Sequence, residues 1–157
     1  MSESFRIRSA RREDVDALLL LIRELAAFEK APDAVINTRE SLLKHGFGPN
    51  PLFVCWVAET NGTIAGMALC YTRYSTWKGP VLYLEDIIVT EKERGTGMGT
   101  ALFETSLDFA RQNGYARMSW QVLDWNEPAI GFYRKYGANL DPEWINCSLD
   151  LYDKPMD

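Results

Sequence analysis

Apolar and polar positions alternate or recur with two different periods along this chain, and the switch between periods marks its elements. Phe5-Arg-Ile-Arg-Ser alternates as a short opening strand. Val15, Leu18, Leu19, Ile22, Leu25 and Ala26 then recur at helical spacing, which predicts an amphipathic helix from about Arg12 to Glu29, broken at Ala31-Pro32-Asp33. A weaker helix is predicted over Thr38–Lys44, stopped by the loop His45-Gly-Phe-Gly-Pro-Asn-Pro. Leu52–Glu59 and Thr63–Tyr74 read as strands, and Asn61-Gly62 between them is a strong hairpin signal. After a turn at Trp77–Pro80 comes Val81–Thr90, the most strand-like run, and then a glycine-rich turn at Gly95–Gly99.

Met98, Ala101, Leu102, Thr105 and Phe109 share one face of a helix that should leave that turn and end near Asn113-Gly114. Ala116–Leu123 alternates as a strand, and Asn126-Glu-Pro opens a further helix closed by Gly137. Two short strands, near Ala138–Trp144 and Asn146–Tyr152, are expected to finish the chain. No repeat or linker is visible. The order predicts one α/β domain over residues 1–157, with a mixed, mostly antiparallel central sheet flanked by helices.

Composition narrows the function. The 157 residues are 46% hydrophobic and 25% charged, the balance of an ordinary folded domain. The longest uninterrupted apolar stretch is Ala17–Ile22, far short of the ~20 residues that cross a bilayer, so no membrane association is expected. No apolar run follows the first charges, so no secretory leader is expected either. A formal charge of −5 argues against nucleic acid as a partner. Cys55, Cys70 and Cys147 are odd in number and far apart, as expected of reduced thiols in a cytoplasmic protein. His45 is the single histidine and lacks the spaced partners of a zinc site, so no metal is expected.

The chemistry is concentrated in Leu82-Tyr-Leu-Glu-Asp-Ile-Ile-Val-Thr and the following Glu91-Lys-Glu-Arg-Gly-Thr-Gly-Met-Gly-Thr100. A strand that delivers glycines to a helix N-terminus builds an anion site. Glycine lets backbone approach the ligand, and the first helical turn has N–H groups without internal partners. Arg94 adds a planar cation suited to a pyrophosphate. An ordinary tight strand–helix turn is the alternative. The spacing Gly95-x-Gly97-x-Gly99 matches neither the dinucleotide fingerprint nor a Walker A loop.

Arg94-Gly-Thr-Gly-Met-Gly99 after a strand resembles the main motif of the GNAT N-acetyltransferase superfamily. Asn126-Glu-Pro-Ala-Ile-Gly-Phe-Tyr-Arg-Lys-Tyr-Gly137 resembles its second signature, and the likeness runs from about Phe5 to Tyr152. Tyr74-Ser-Thr-Trp-Lys-Gly-Pro, Leu82-Tyr-Leu-Glu-Asp, Asp124-Trp-Asn-Glu-Pro and Arg23-Glu-Leu-Ala-Ala-Phe-Glu29 are similar to the diamine acetyltransferase branch, which includes spermidine/spermine and thialysine enzymes. The resemblance implies the GNAT fold, acetyl-CoA as co-substrate, a small amine as acceptor and a homodimer. It also implies that Ile87, Ile88 and Val89 bond pantetheine. Arg94, Gly95, Thr96, Gly97, Met98, Gly99 and Thr100 would hold the pyrophosphate, and Asn126, Glu127, Pro128 and Ala129 would touch the cofactor.

Glu85 and Asp86 interrupt an apolar strand, where a carboxylate is costly unless paired or solvated. Alternation sends them to opposite faces unless a bulge intervenes. An ammonium must lose a proton before attacking a thioester, and a carboxylate can bind the cation and take that proton. Glu85 is therefore the candidate base and Asp86 a candidate substrate contact, with a structural ion pair as the alternative. Tyr133 takes by resemblance the place beside the CoA sulfur, where a phenol can protonate the leaving thiolate; aromatic packing is the alternative, and is the reading for Tyr136. Asn126 is a natural helix cap whether or not it touches pantetheine.

Trp77 could hold a cation on its π face or serve as lid or dimer packing. Phe28 and Glu29, at the end of the first helix, map to amine-contacting positions, with an exposed helix end as the plain alternative. Long-polyamine enzymes tend to carry an acid ahead of the tryptophan, whereas this chain has Ser75-Thr76, which suits a shorter diamine or a lysine-like amine. Acetylation of a peptide N-terminus, an amino acid or a drug amine, and CoA binding without catalysis, are the competing readings.

Overall fold

Cross-strand pairing, more than helix propensity, organises this molecule, and a computed structural model describes residues 4–151 of it. Strands β1 (Arg6–Ser9), β2 (Val54–Thr60), β3 (Thr63–Ser75), β4 (Gly79–Val89) and β5 (Arg117–Ser119) form one sheet in the order β1-β2-β3-β4-β5. Neighbours are antiparallel as far as β4, and β5 joins it parallel. Asn61 and Gly62 both have positive φ, 52° and 74°, the backbone that lets a two-residue turn follow the twist of β2 and β3. The helices are α1 (Val15–Phe28), α2 (Arg39–Phe47), α3 (Met98–Gln112) and α4 (Glu127–Lys135). The mixed, mostly antiparallel α/β architecture is the one expected.

Two compact units divide the chain, Met1–Trp120 and Gln121–Asp157. In the first, α1 covers one sheet face. Its Leu18 and Leu21 pack with Cys55, Val57, Met67, Leu69 and Ile88, while Val15 and Leu19 meet Leu42 of α2. On the opposite face lies α3, where Phe109 meets Trp56 edge-on at 5.1 Å and Phe103 meets Trp120 at 5.3 Å. Gly66 of β3 lets α3 come close. A Cβ there would stand 3.0 Å from the Ile88 carbonyl and 3.1 Å from Leu102.

The elements differ from expectation in four places. A 3₁₀ turn at Arg12–Asp14 precedes α1, and Glu29 is its C-cap rather than its last residue. Helix α2 runs on through His45-Gly46 to Phe47, because Gly46 serves packing: a Cβ there would lie 2.1 Å from the Phe53 ring. Strand β5 keeps only three residues of Ala116–Leu123. No strand forms in 138–151, and Tyr152 lies outside the described residues. Strands need a backbone partner, and this segment instead leaves Trp144, Ile145, Leu149 and Leu151 exposed.

Asp14 ties the opening strand to the helical layer. Arg8 donates to it at 2.8 and 3.1 Å and to Glu59 at 2.8 Å, and the Arg11 amide donates to Asp14 at 2.7 Å. The bonds from Arg8 hold the Asp14 carboxyl below its ordinary pKa. Its contribution is therefore present above the unfolded value and lost as pH falls through the folded one. Asp14→Asn is expected to cost about 2–3 kcal/mol in urea unfolding at pH 7, with the deficit vanishing at acid pH.

Cys55 and Cys70 are buried, whereas Cys147 is exposed. Burial raises the Cys55 thiol pKa and pushes Cys70 up to about 12.

Candidate functional site

Between β4 and α3 the chain makes a 3₁₀ turn, Glu91–Glu93, and then a loop in which Gly95 and Gly97 hold φ of 82° and 91°. Side chains other than glycine rarely adopt these angles. Gly97 caps α3, and the first amide to find an intrahelical partner is that of Ala101, 3.0 Å from the Gly97 carbonyl. The amides of Met98, Gly99 and Thr100 therefore form the open first turn of a 15-residue helix, whose dipole favours an anion there. Buried Met98 anchors this turn in the core, and the Thr96 hydroxyl donates to the Glu93 carbonyl at 2.7 Å.

The Arg94 guanidinium is engaged elsewhere. Its Nε donates to the Val89 carbonyl at 3.0 Å, its Nη2 lies 3.7 Å from Glu24, and it stacks 5.5 Å from the Phe28 ring centroid. Glu24 also accepts from the Thr90 hydroxyl at 2.9 Å and the Glu91 amide at 3.1 Å. Arg94 and Glu24 thus brace the loop against α1. Sequence reasoning missed Glu24; its only sequence signal is a carboxylate on the inner half of an amphipathic helix.

Strand β4 has an open edge beside this loop. Its pairing with β5 stops at Tyr83↔Ser119, and among the described residues no strand covers 85–89 on that side. The Thr90 amide donates to the Ala65 carbonyl at 2.8 Å, so alternation turns the peptide groups of Ile87 and Val89 toward the open edge and those of Ile88 toward β3. The Ile88 side chain is buried under α1.

A bulge shapes the acidic centre. Leu84 pairs with Cys70 and Asp86 with Leu69, leaving Glu85 as the extra residue of β4. Asp86 therefore shares the α1-side face with Leu69 and Met67. The Glu85 charge acts on Tyr71 and Tyr83, a directly opposed pair whose rings are 5.4 Å apart. Burial first, then Glu85, raises the pKa of both tyrosines, and the Tyr71 hydroxyl donates to the Glu85 carboxylate. Arg73 stacks 5.2 Å from the Tyr83 ring centroid.

Asp86 is half-buried, and its pKa is pushed up to about 6 by that burial and by the charges of Glu85 and Glu29. Partial burial also raises Glu29. Among the described residues neither Glu85 nor Asp86 forms an ion pair. Asp86 thus sits where the charges of Glu85 and Glu29 both bear on it.

Trp77 stands apart from this cluster in the same chain. It lies 86% exposed at the tip of the β3–β4 hairpin, in a turn where the Ser75 hydroxyl accepts from the Trp77 and Lys78 amides. Gly79, which starts the returning strand, is ~20 Å along β4 from the bulge. Phe28 is partly exposed beneath Arg94.

In the second unit, Asn126 caps α4 by accepting from the Ala129 amide at 3.4 Å, with Glu127 and Pro128 in the first turn. Tyr133 and Ile130 form the buried face of α4, and Tyr136 at its C-cap packs on Phe132 at 5.4 Å.

Residues 19–138 match the model of the acetyltransferase (GNAT) family. A thialysine N-epsilon-acetyltransferase of Mus musculus is 41% identical over 143 residues, covering 86% of this chain and 84% of its own length. A spermidine/spermine N(1)-acetyltransferase-like protein 1 of Homo sapiens is 39% identical over 141 residues, 85% of this chain and 20% of the human protein. Among solved structures, an aminoglycoside acetyltransferase from an uncultured soil metagenomic sample, in complex with trehalose, superposes with a TM-score of 0.77 at 21% identity, covering 94% of this chain and 97% of that one. That last likeness bears on the fold alone.

Proposed function

The chain belongs to the GNAT acetyltransferase family, and from that premise we propose that it transfers acetyl from acetyl-CoA to the primary amine of a small diamine, polyamine or lysine-like acceptor. The observation that carries the acceptor reading is the cluster of Glu29, Glu85 and Asp86 on the α1 side of β4, next to that strand's open edge. The glycine cradle fits a diphosphate: the first-turn amides of α3 precede the first intrahelical bond, and positions 95 and 97 carry no Cβ. Gly95, Thr96, Gly97, Met98, Gly99 and Thr100 hold that group, with Arg94 bracing them. The Ile87 and Val89 backbone bonds the pantetheine arm, and Asn126, Glu127, Pro128 and Ala129 complete the contacts with the co-substrate. When bound, acetyl-CoA supplies an activated thioester carbonyl.

The acidic cluster binds the acceptor as an ammonium. Asp86, with a pKa about 6, is still an anion at neutral pH yet basic enough to take the proton. That makes Asp86 the base, with Glu85, Glu29 and Phe28 as acceptor contacts, while Trp77, ~20 Å along β4 from the bulge, stays outside the reach of the reacting amine. The freed amine attacks the carbonyl, so an N–C bond forms as the C–S bond breaks. Tyr133 gives a proton to the leaving sulfur, and the nitrogen releases its second proton to solvent. Direct transfer of this kind needs no metal.

We also read both units as parts of one catalytic domain, acting as a homodimer in the cytoplasm. The exposed Trp144, Ile145, Leu149 and Leu151 support a second copy as the cover for that segment. Among the described residues no helix is long and apolar enough to cross a membrane.

Calorimetry with acetyl-CoA, followed by an acetyl-transfer assay over a panel of amines, tests the reading. Tight acetyl-CoA uptake with turnover of small primary amines is the expected result. Binding without transfer to any amine would make the protein a CoA-binding module, and turnover of peptides alone would overturn the acceptor class.

A further inference from the structure

Among the described residues Arg73 is the cation stacked on the tyrosine wall beside the acidic cluster. Its Cα partner across the hairpin is Val81, four residues before Glu85 and ~13 Å from it along β4. By the register, Arg73 and Tyr71 point to the same face, as do Val81 and Tyr83 on the facing strand. That face also carries Asp86. The Arg73 guanidinium lies over the Tyr83 ring, and both Tyr71 and Tyr83 sense Glu85 from one side and Arg73 from the other. The two charges therefore bracket the same pair of rings.

Among the described residues Arg73 forms no ion pair, although it is held by its stack on Tyr83. A guanidinium fixed by an aromatic face and still offering its fork of N–H donors is a carboxylate reader. Beyond it toward the hairpin tip come Ser75, Thr76 and Lys78, none of them acidic. A second ammonium placed there would meet a like charge, whereas a carboxylate would meet an opposite one.

We propose that Arg73 sets acceptor specificity by pairing with a carboxylate on the acceptor, so that the preferred substrate is a zwitterionic ω-amino acid rather than a diamine. This rests on the acetyl-transfer reading and narrows its acceptor. The ω-ammonium enters the Glu85–Asp86–Glu29 cluster, the alkyl chain lies across the Tyr71–Tyr83 wall, and the carboxylate meets Arg73.

Two matched acceptor pairs isolate the carboxylate: lysine against cadaverine, and ornithine against putrescine. Each pair shares its reacting amine and chain length. The wild-type protein is expected to favour the amino acid of at least one pair. Arg73→Met should raise KM for that amino acid by about 10–100-fold, the range for losing a charge-assisted bond, with kcat at saturation far less affected. The same variant should raise kcat/KM for the diamine several-fold, because the like-charge repulsion is gone. Arg73→Lys should recover part of the loss. Arg73 is exposed, so these variants fold.

A wild-type preference for both diamines, or a parallel loss on both members of a pair in Arg73→Met, overturns the proposal while acetyl transfer stands. Failure of the wild type to acetylate any of the four removes the parent reading and this one with it.

Discussion

Asp86→Asn is expected to reduce kcat by about a hundred- to ten-thousand-fold, the range for losing a positioned base, and at the same time to raise Tm. Both effects come from one cause. The folded state holds the Asp86 pKa at about 6, above the ordinary carboxylate value, because burial and the neighbouring Glu85 and Glu29 disfavour its charge. A carboxyl raised on folding keeps its proton longer in the native state, so its ionisation erodes stability as pH climbs from the unfolded to the folded value. At pH 7 the wild type bears that full cost. The neutral, equally sized Asn removes it, for a gain on the order of 1–2 kcal/mol. In rate measurements the wild type should gain kcat/KM as pH rises through about 6, and the variant should lack that rise. A variant that keeps the limb near 6 would move the base role to another residue.

The second large effect belongs to Tyr133→Phe, for which kcat is expected to fall about a hundred-fold while the acetyl-CoA Kd shifts by no more than about three-fold. The substitution keeps the ring, so the buried face that Tyr133 shares with Ile130 on α4 is preserved. Only the proton donor is removed. Because thiolate departure is the step it serves, poorer leaving groups should suffer more than better ones. Equal losses in Kd and kcat would make the hydroxyl a structural group, and the general acid would have to be sought among other donors.

The glycine cradle was legible in the chain because its requirement is local. Positive φ at Gly95 and Gly97 and an amide-rich helix start are properties of consecutive residues. The Asn61-Gly62 turn was readable for the same reason. The acidic centre was not fully readable, because the bulge at Glu85 comes from how β4 pairs with β3. Simple alternation would separate Glu85 from Asp86; the bulge leaves Glu85 unpaired beside Asp86, whose carboxyl is raised by burial and by the neighbouring charges. The Tyr71–Tyr83 wall did leave a trace. A hairpin centred on Trp77 pairs Ser75 with Gly79 and, by counting outward, Tyr71 with Tyr83. That count needed the turn to be seen as a hairpin tip. The missing strands in 138–151 have a different cause: alternation tells which side chains could share a face, but not whether a neighbouring strand is at hand to receive them.

The sulfur inventory of the fold bears on how turnover can be watched. Two of the three thiols are sealed in the sheet and held protonated, so at the bench a disulfide dye meets only Cys147 on the folded chain. Every further equivalent of dye consumed then reports a freed coenzyme thiol, and the catalyst can be followed continuously by colour without its interior being titrated along with its product.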